Sequence, residues 1–239
     1  MKALLRFNYL MYMSKFHFLL PFTFILVYSG LLYVLSIFLF SHCFVISTAL
    51  LFAISLLDGF YAYKLCRDNM QAILMMKSGS AVKCYISREL LLVLLAVQYT
   101  VLILLYPSII SLLGSGKLSR IVTDLAAILF LHLFVALCGY EIGGLFQPKI
   151  IGRRVPAALL MLGTIAGIFL RQELSMIPII KYLFWIFPPI AKLLRLVYDK
   201  EMFFTAEMGS MIIQLFLYTS LVLAAKAYLQ SRRKWAIYE

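Results

Sequence analysis

Charged residues are scarce in this chain of 239 residues. Asp, Glu, Lys and Arg make up only 13% of it, whereas 64% of the residues are hydrophobic and the mean hydropathy is +0.98. A water-soluble domain of this length could not hide so much apolar surface. The composition therefore excludes a soluble globular protein and predicts an all-α membrane protein whose solvent is lipid.

Motifs for nucleotide, catalytic or metal chemistry are missing as well. The sequence contains no GxxxxGK[ST], HExxH or GxSxG pattern. It has no CxxC, and its cysteines (Cys43, Cys66, Cys84, Cys138) and histidines (His17, His42, His132) lie far apart. We therefore expect no enzyme, no metal site and no cofactor in this chain, so that ATP, if it drives the protein, must bind a partner.

Acidic residues are the rarer charge, with 10 Asp and Glu against 22 Lys and Arg, which gives a net charge of +12. A basic chain can bind nucleic acid. In a sequence this apolar, however, Lys and Arg more often mark the cytoplasmic ends of membrane spans. We therefore expect membrane lipid, and no nucleic acid, as the partner of these charges.

A cleaved signal peptide is also not expected, because no small-residue cleavage site follows the first apolar run, which begins only at Phe22.

Six apolar runs approach the roughly 20 residues that a helix needs to cross a bilayer. They predict spans at about 22–40, 44–63, 90–106, 125–146, 155–170 and 208–229, with Pro107 ending the third. The segment 177–190 is apolar but carries Lys181 and closes on two prolines. At about 21 Å it is short for the core. We interpret it as interfacial or re-entrant, part of short external helices at about 174–200, and a seven-span chain is the alternative.

The basic residues orient the six-span arrangement. With both termini inside, 15 of the 22 Lys and Arg lie on the cytoplasmic side and 7 outside, as the positive-inside rule requires. Lys226, near the end of the last span, is expected to snorkel to the interface.

The first 20 residues are too charged to span, and we treat them as a unit separate from the membrane domain at 21–239. On a helical projection one face carries apolar side chains, while Lys2 and Arg6 lie away from it. This pattern predicts an amphipathic helix on the membrane surface; a polar tail leading into the first span is the alternative. The apolar face consists of Ala3, Leu4, Phe7, Leu10, Met11 and Phe18.

The polar interval Lys64 to Glu89 separates the second and third spans. Asp68 or Asn69 can cap a short helix, Gly79 can end it, and a second helix can run from about Ala81 into the third span. Met70, Ile73 and Leu74 form an apolar stripe on the first helix. Such a helix either docks in a groove of a cytoplasmic partner or rests on the lipid headgroups.

This layout resembles the permease subunit of type-2 ABC exporters, in the half-size six-span form. Arg67-Asp68 stands at the family's charged pair, Gln71–Met76 at its short helix, Lys77–Ser80 at its turn and Ser87-Arg88 at its approach to the span. The glycines of Cys138–Gly144 resemble its small-residue patch at the end of the fourth span. The glutamate, glycine-threonine and proline usual in that loop are absent.

The resemblance implies a function, partners and a location. It implies a short cytoplasmic coupling helix that rests on a separate ABC ATPase subunit, which binds ATP and Mg, and a second permease subunit in a homo- or heterodimer. It also implies export of amphipathic peptides, lipid-like molecules or drugs across a bacterial cell membrane. The implied ATPase-coupling residues are Arg67, Asp68, Met70, Ile73, Leu74 and Lys77.

Two acids lie in apolar surroundings near the predicted cytoplasmic interface, Asp58 and Glu141. Acids within spans are functional candidates, so a role in gating is one hypothesis. Structural pairing with Lys64, Arg153 or Arg154 is the other.

Other polar and small residues within the spans suggest contacts between helices. Gln98, His132 and Gln214 suggest interhelical hydrogen bonds, and the GxxxG at Gly163 and Gly167 permits close helix approach. The alternative to an ABC permease is a stand-alone secondary transporter or a membrane assembly factor without an ATPase partner.

Overall fold

The chain is described by a computed structural model for residues 1–35, 40–62, 68–114, 118–174, 188–199 and 206–235. These residues form helices and contain no β-strand, as the apolar composition predicts. The helices are α1 Lys2–Ser14, α2 Leu19–Leu35, α3 Phe40–Tyr61, α4 Asp68–Ser78, α5 Ala81–Gly114, α6 Leu118–Leu145, α7 Pro148–Ile151, α8 Arg154–Leu174, α9 Ile190–Asp199 and α10 Ala206–Trp235.

Four helices in the described part of the chain are long and apolar enough to cross a bilayer. They contribute the stretches Phe44–Tyr61, Ala81–Leu105, Leu125–Leu145 and Ala206–Gln230. The pair α1 and α2, bent by 67° at the intervening turn, becomes a fifth if it is counted as one broken span. Helix α8 contributes only the shorter apolar stretch Arg154–Ile168. The described residues are therefore all-helical and carry four to five candidate spans, which is compatible with a multi-pass membrane protein; the six predicted spans are not confirmed.

The sequence predicts that Pro107 ends the third span, but the helix itself does not end there. Helix α5 runs through Pro107 and ends at Gly114. A proline inside a helix removes a single backbone donor, and neighbouring groups can compensate for that loss in a membrane. One turn away, the hydroxyl of Ser108 donates to the carbonyl of Leu104 at 2.6 Å. The proline is therefore accommodated within one long helix.

Helices α3 and α6 form the centre of the bundle, with their side chains largely buried. Glycines allow this close approach: a Cβ on Gly139 would lie 2.9 Å from the carbonyl oxygen of Phe52, and one on Gly143 would lie 2.8 Å from the amide nitrogen of Phe60. The GxxxG of α8 makes no such contact at Gly163 among the described residues, because a Cβ there would meet nothing within 4 Å. The small-residue contact seen in this chain is that of α6.

Helix α1 packs along α5 and not only against lipid. Tyr12 is 3% exposed, whereas Leu10, a member of the predicted apolar face, is 55% exposed. Phe16, with a φ of 54°, lies in the turn that directs the chain into α2. The helix thus has one face toward the bundle, centred on Tyr12, and another, including Leu10, that faces away.

At the opposite end of the bundle, the amphipathic helix α9 packs on α3 and α8. Ile190 and Leu193 are buried, whereas Lys192 and Arg195 are exposed. A helix of this type matches the expectation of short helices near 174–200. Most of the ambiguous segment 177–190 lies outside the described residues.

Candidate functional site

Helix α4 and the turn after it have the local structure that the sequence predicts. The helix ends at Ser78, Gly79 has a φ of 66°, and α5 begins at Ala81. Glycine tolerates this left-handed conformation without a steric penalty. The hydroxyl of Ser78 donates within the turn, 3.1 Å from the carbonyl oxygen of Ser80. The result is a short, defined connection from α4 into a membrane helix.

The outer surface of α4 is apolar. Met76 is 75% exposed and Ile73 is 47% exposed, whereas Leu74 is half-buried. Lys77 is also exposed. Of the other predicted coupling residues, Arg67 and the side chains of Asp68 and Met70 lie outside the described residues. Met76 joins Ile73 on the exposed surface and was not among the predicted contacts.

Polar side chains join α1 to α5 in a seam. The amide of Asn8 donates to the hydroxyl of Ser87 at 3.0 Å. The amide of Gln98 donates to the hydroxyl of Tyr9 at 3.1 Å, as expected for an interhelical hydrogen bond. These contacts fix α1 along the first turns of α5, next to the connection from α4.

The third contact of this seam reaches Asp58 on α3. The hydroxyl of Tyr12 donates to Oδ2 of Asp58 at 2.7 Å and lies 2.6 Å from the hydroxyl of Tyr99. Since Tyr12 has one hydroxyl proton, Tyr99 is the donor in the second bond. The hydroxyl of Tyr140 also faces Asp58 and Ser55, but it makes no hydrogen bond of ordinary geometry. Tyr12 therefore bridges α3 and α5, the two helices that flank α4.

Glu141 lies in a second cluster, beside the buried Lys226 and the partly exposed Glu89. Nζ of Lys226 donates to Oε2 of Glu89 at 2.8 Å and lies 2.5 Å from Oε2 of Glu141. The second contact is an ion pair without the angle of a hydrogen bond. Arg153 and Arg154, the expected partners of Glu141, are exposed instead. The cluster thus links three helices, α5, α6 and α10.

Lys226 does not snorkel to the surface as expected, since its side chain is 2% exposed. Removing an ammonium group from water is strongly unfavourable unless opposite charge and hydrogen bonds replace the hydration. The two carboxylates supply that charge. Gly144 provides the room, because a Cβ at this position would lie 3.0 Å from Cδ of Lys226. The correction therefore has a physical reason: the lysine has internal partners and space to reach them.

A small cavity borders this cluster and is lined by polar groups. Its volume is about 40 Å³, enough for a water molecule. Glu89 and Lys226 line it, with Tyr85, Arg88, Asn8, Gln147 and Gln230 around them. The amide of Gln147 donates to the carbonyl oxygen of Gly59 at 2.8 Å. The cavity gives the cluster a polar surrounding at the end of the bundle where α3 and α6 finish.

His132 forms a separate buried contact between α6 and α3. Nδ1 lies 2.8 Å from the carbonyl oxygen of Ile128, so Nδ1 carries the proton and Nε2 accepts. Nε2 lies 2.8 Å from the hydroxyl of Ser47 and 3.2 Å from that of Thr48. The expected interhelical hydrogen bond of His132 is therefore present. Gln214, for which the same was expected, has an exposed side chain.

Among the described residues, no group of three His, Cys, Asp or Glu could hold a metal ion. No family model, curated protein or solved structure matches the chain. The interpretation of the site therefore depends on the residues themselves.

Sequence reasoning missed Glu89 and Lys226 as site residues. Both had been assigned to interface positions at the start of the third span and the end of the last. Opposite charges at the same depth of two antiparallel spans are a usable signal. Choosing this pair over others requires knowing that α5 and α10 both flank α6, which is a property of the fold.

Proposed function

We propose that the chain is the permease subunit of an ATP-driven exporter of the type-2 ABC class, working with a separate ATPase subunit. The observation that carries this proposal is the exposed apolar surface of α4, formed by Ile73 and Met76. It stands at the connection between two membrane helices, α3 and α5. An exposed apolar surface of this kind is typical of a docking site for a protein or a membrane.

The connection to α5 supports a mechanical role for α4. Only Gly79 and Ser80 separate the two helices, and Gly79 has a φ of 66°. A movement of α4 is therefore transmitted to α5 without a long flexible linker. In this proposal both termini and α4 are cytoplasmic, because the basic ends of the helices meet on that side. The chain pairs with a second permease subunit in the cell membrane and moves amphipathic peptides, lipid-like molecules or drugs outward.

Burial of the predicted apolar stripe of α4, which consists of Met70, Ile73 and Leu74, at a partner would contribute about 3–6 kcal/mol before the costs of association. The double substitution Ile73→Asp and Leu74→Asp is therefore expected to abolish ATPase docking, because it places two carboxylates in the contact. The measurement is co-purification from native membranes, with the ATPase detected by photolabelling with an azido-ATP probe. Membrane insertion of the permease should be unchanged.

Val155→Asp provides the matched control, because Val155 is 69% exposed at the start of α8 and lies outside α4. The Val155→Asp variant should co-purify the photolabelled ATPase as well as the wild type does. Equal recovery of the ATPase with the α4 variant would refute the coupling role and leave α4 as a loop helix resting on headgroups.

A stand-alone secondary transporter is the second candidate, and the buried Glu89–Glu141–Lys226 cluster favours it. Ionisable side chains inside membrane spans commonly mark ion pathways. This candidate predicts that no nucleotide-binding chain co-purifies and that an imposed pH gradient, without ATP, drives uptake or release in proteoliposomes.

A further inference from the structure

Lys226 links α10 directly to α5. Helix α10 packs mainly on α6, and most side chains of its apolar stretch Ala206–Gln230 are not buried against the other described residues. Lys226 extends past α6 to reach Glu89. The charge cluster thus ties this end of α10 to α5 as well as to α6.

The charges of the cluster do not cancel. If Glu89 and Glu141 are both ionised, Lys226 balances only one of them, and a net charge of −1 stays in a cluster in which Glu141 and Lys226 are buried and Glu89 is 18% exposed. A buried uncompensated charge is strongly unfavourable. One proton shared by the two carboxylates makes the cluster neutral while Lys226 keeps an ionised partner.

Among the described residues that face the cluster or line the adjacent cavity, one other charge is present. Tyr85, from α5, faces both glutamates, and Cys138, from α6, faces Glu141; both are neutral groups. Arg88 lines the adjacent cavity, but it is partly exposed and its charge is shared with water. Asn8, Gln147 and Gln230 complete the lining without charge. A proton is therefore the most effective neutralising group.

We propose that the Glu89–Glu141–Lys226 cluster is a proton-binding latch, which holds one proton while it fixes the end of α10 to α5 and α6 and releases that proton when this end moves away. In the open state water solvates both carboxylates, so ionisation no longer leaves a buried charge. The closed state therefore binds the proton more tightly than the open state. By linkage, the latch is stable at lower pH and weakens as the pH rises.

The test is the distance between spin labels on α5 and α10, at Val93 and Leu229, measured by pulsed electron resonance on the intact purified chain in nanodiscs. Both positions are partly exposed, and the native cysteines are replaced. Between about pH 6 and about pH 9, below the range where lysine titrates, the wild type should lose most of its short-distance population.

The decisive variant is Glu141→Gln, which resembles the protonated carboxyl in size and charge. It should stay closed over the whole pH range. Glu207→Gln, an exposed acid on the same helix, is the matched control and should respond as the wild type does. A wild-type distance that is independent of pH would overturn the proposal, and so would a Glu141→Gln variant that retains the wild-type pH response. If Glu141→Gln does not fold, Glu89→Gln gives the same test, since it too leaves one acid and one lysine.

Discussion

Several buried polar side chains in this bundle have partners on other helices, and each of those bonds specifies a contact. Tyr12 is the clearest case, because its single hydroxyl links Asp58 on α3 to Tyr99 on α5. His132 does the same for α6 and α3 through Ser47. In an apolar solvent such bonds select one register among many similar apolar packings. Hydrogen bonds of single side chains therefore help to determine which helices are neighbours.

Tyr12→Phe should destabilise the protein by about 1–3 kcal/mol, because the carboxylate of Asp58 loses its donor while it stays inside the bundle. The measurement is the midpoint of thermal or denaturant unfolding in detergent. Tyr9→Phe is the matched comparison. It loses a hydrogen bond in which Tyr9 only accepts from Gln98, and it should cost less. An equal effect of both variants would show that Asp58 does not depend on Tyr12.

At the scale of elements, the contact between α3 and α6 determines how closely the central helices approach. The backbone of α3 fills the space beside Gly139 and Gly143. These two residues permit the close approach because glycine has no side chain. Gly163 on α8 belongs to a pair with the same spacing, but a Cβ on it would meet nothing within 4 Å among the described residues. Spacing alone does not distinguish a packed glycine pair from one that faces lipid.

Gly143→Ala should destabilise the bundle by about 1–3 kcal/mol or more, because the new methyl group would overlap the backbone carbonyl of Leu56. Gly163→Ala, with open space around it, should be neutral or slightly stabilising, since alanine favours helix. Unfolding of both variants in the same detergent gives the comparison. A larger loss at Gly163 than at Gly143 would contradict the assignment.

The sequence was sufficient for the helical class, for the turn at Gly79 and for the hydrogen bonds of His132 and Gln98. These depend on composition, on backbone conformation and on the rule that polar groups in lipid must find partners. The burial of Lys226, the course of α5 through Pro107 and the contact at Gly143 could not be predicted. Each depends on which helices are neighbours, and in a uniformly apolar chain the hydrophobic pattern says little about that.

At the scale of the whole molecule, the two polar clusters, Tyr12–Asp58–Tyr99 and Glu89–Glu141–Lys226, lie toward one end of the described bundle. α3 and α6 finish there, α5 begins there, and the exposed Lys83, Arg153 and Arg154 surround it. The proposed topology places this end in the cytoplasm.

A reporter fused after Glu239 is therefore expected to read as cytoplasmic, as alkaline phosphatase without activity and green fluorescent protein with fluorescence. The same two reporters inserted at 115–117, between α5 and α6, should read as external, with active alkaline phosphatase and without fluorescence. This insertion controls for expression. An external signal after Glu239 would refute the six-span arrangement and favour a crossing by 177–190.

The two hydrogen bonds of Tyr12 also give α5 a fixed point about which it can tilt. Tyr99 is tied through Tyr12 to α3, and 18 residues separate it from Ala81, an arm of about 27 Å at the rise of an α-helix. A tilt of about 5° around this point displaces the start of α5 by about 2 Å. On the far side, 15 residues reach Gly114, so the opposite end swings in the reverse direction by a slightly smaller amount. Small rotations at one membrane face thus become opposed displacements at the other.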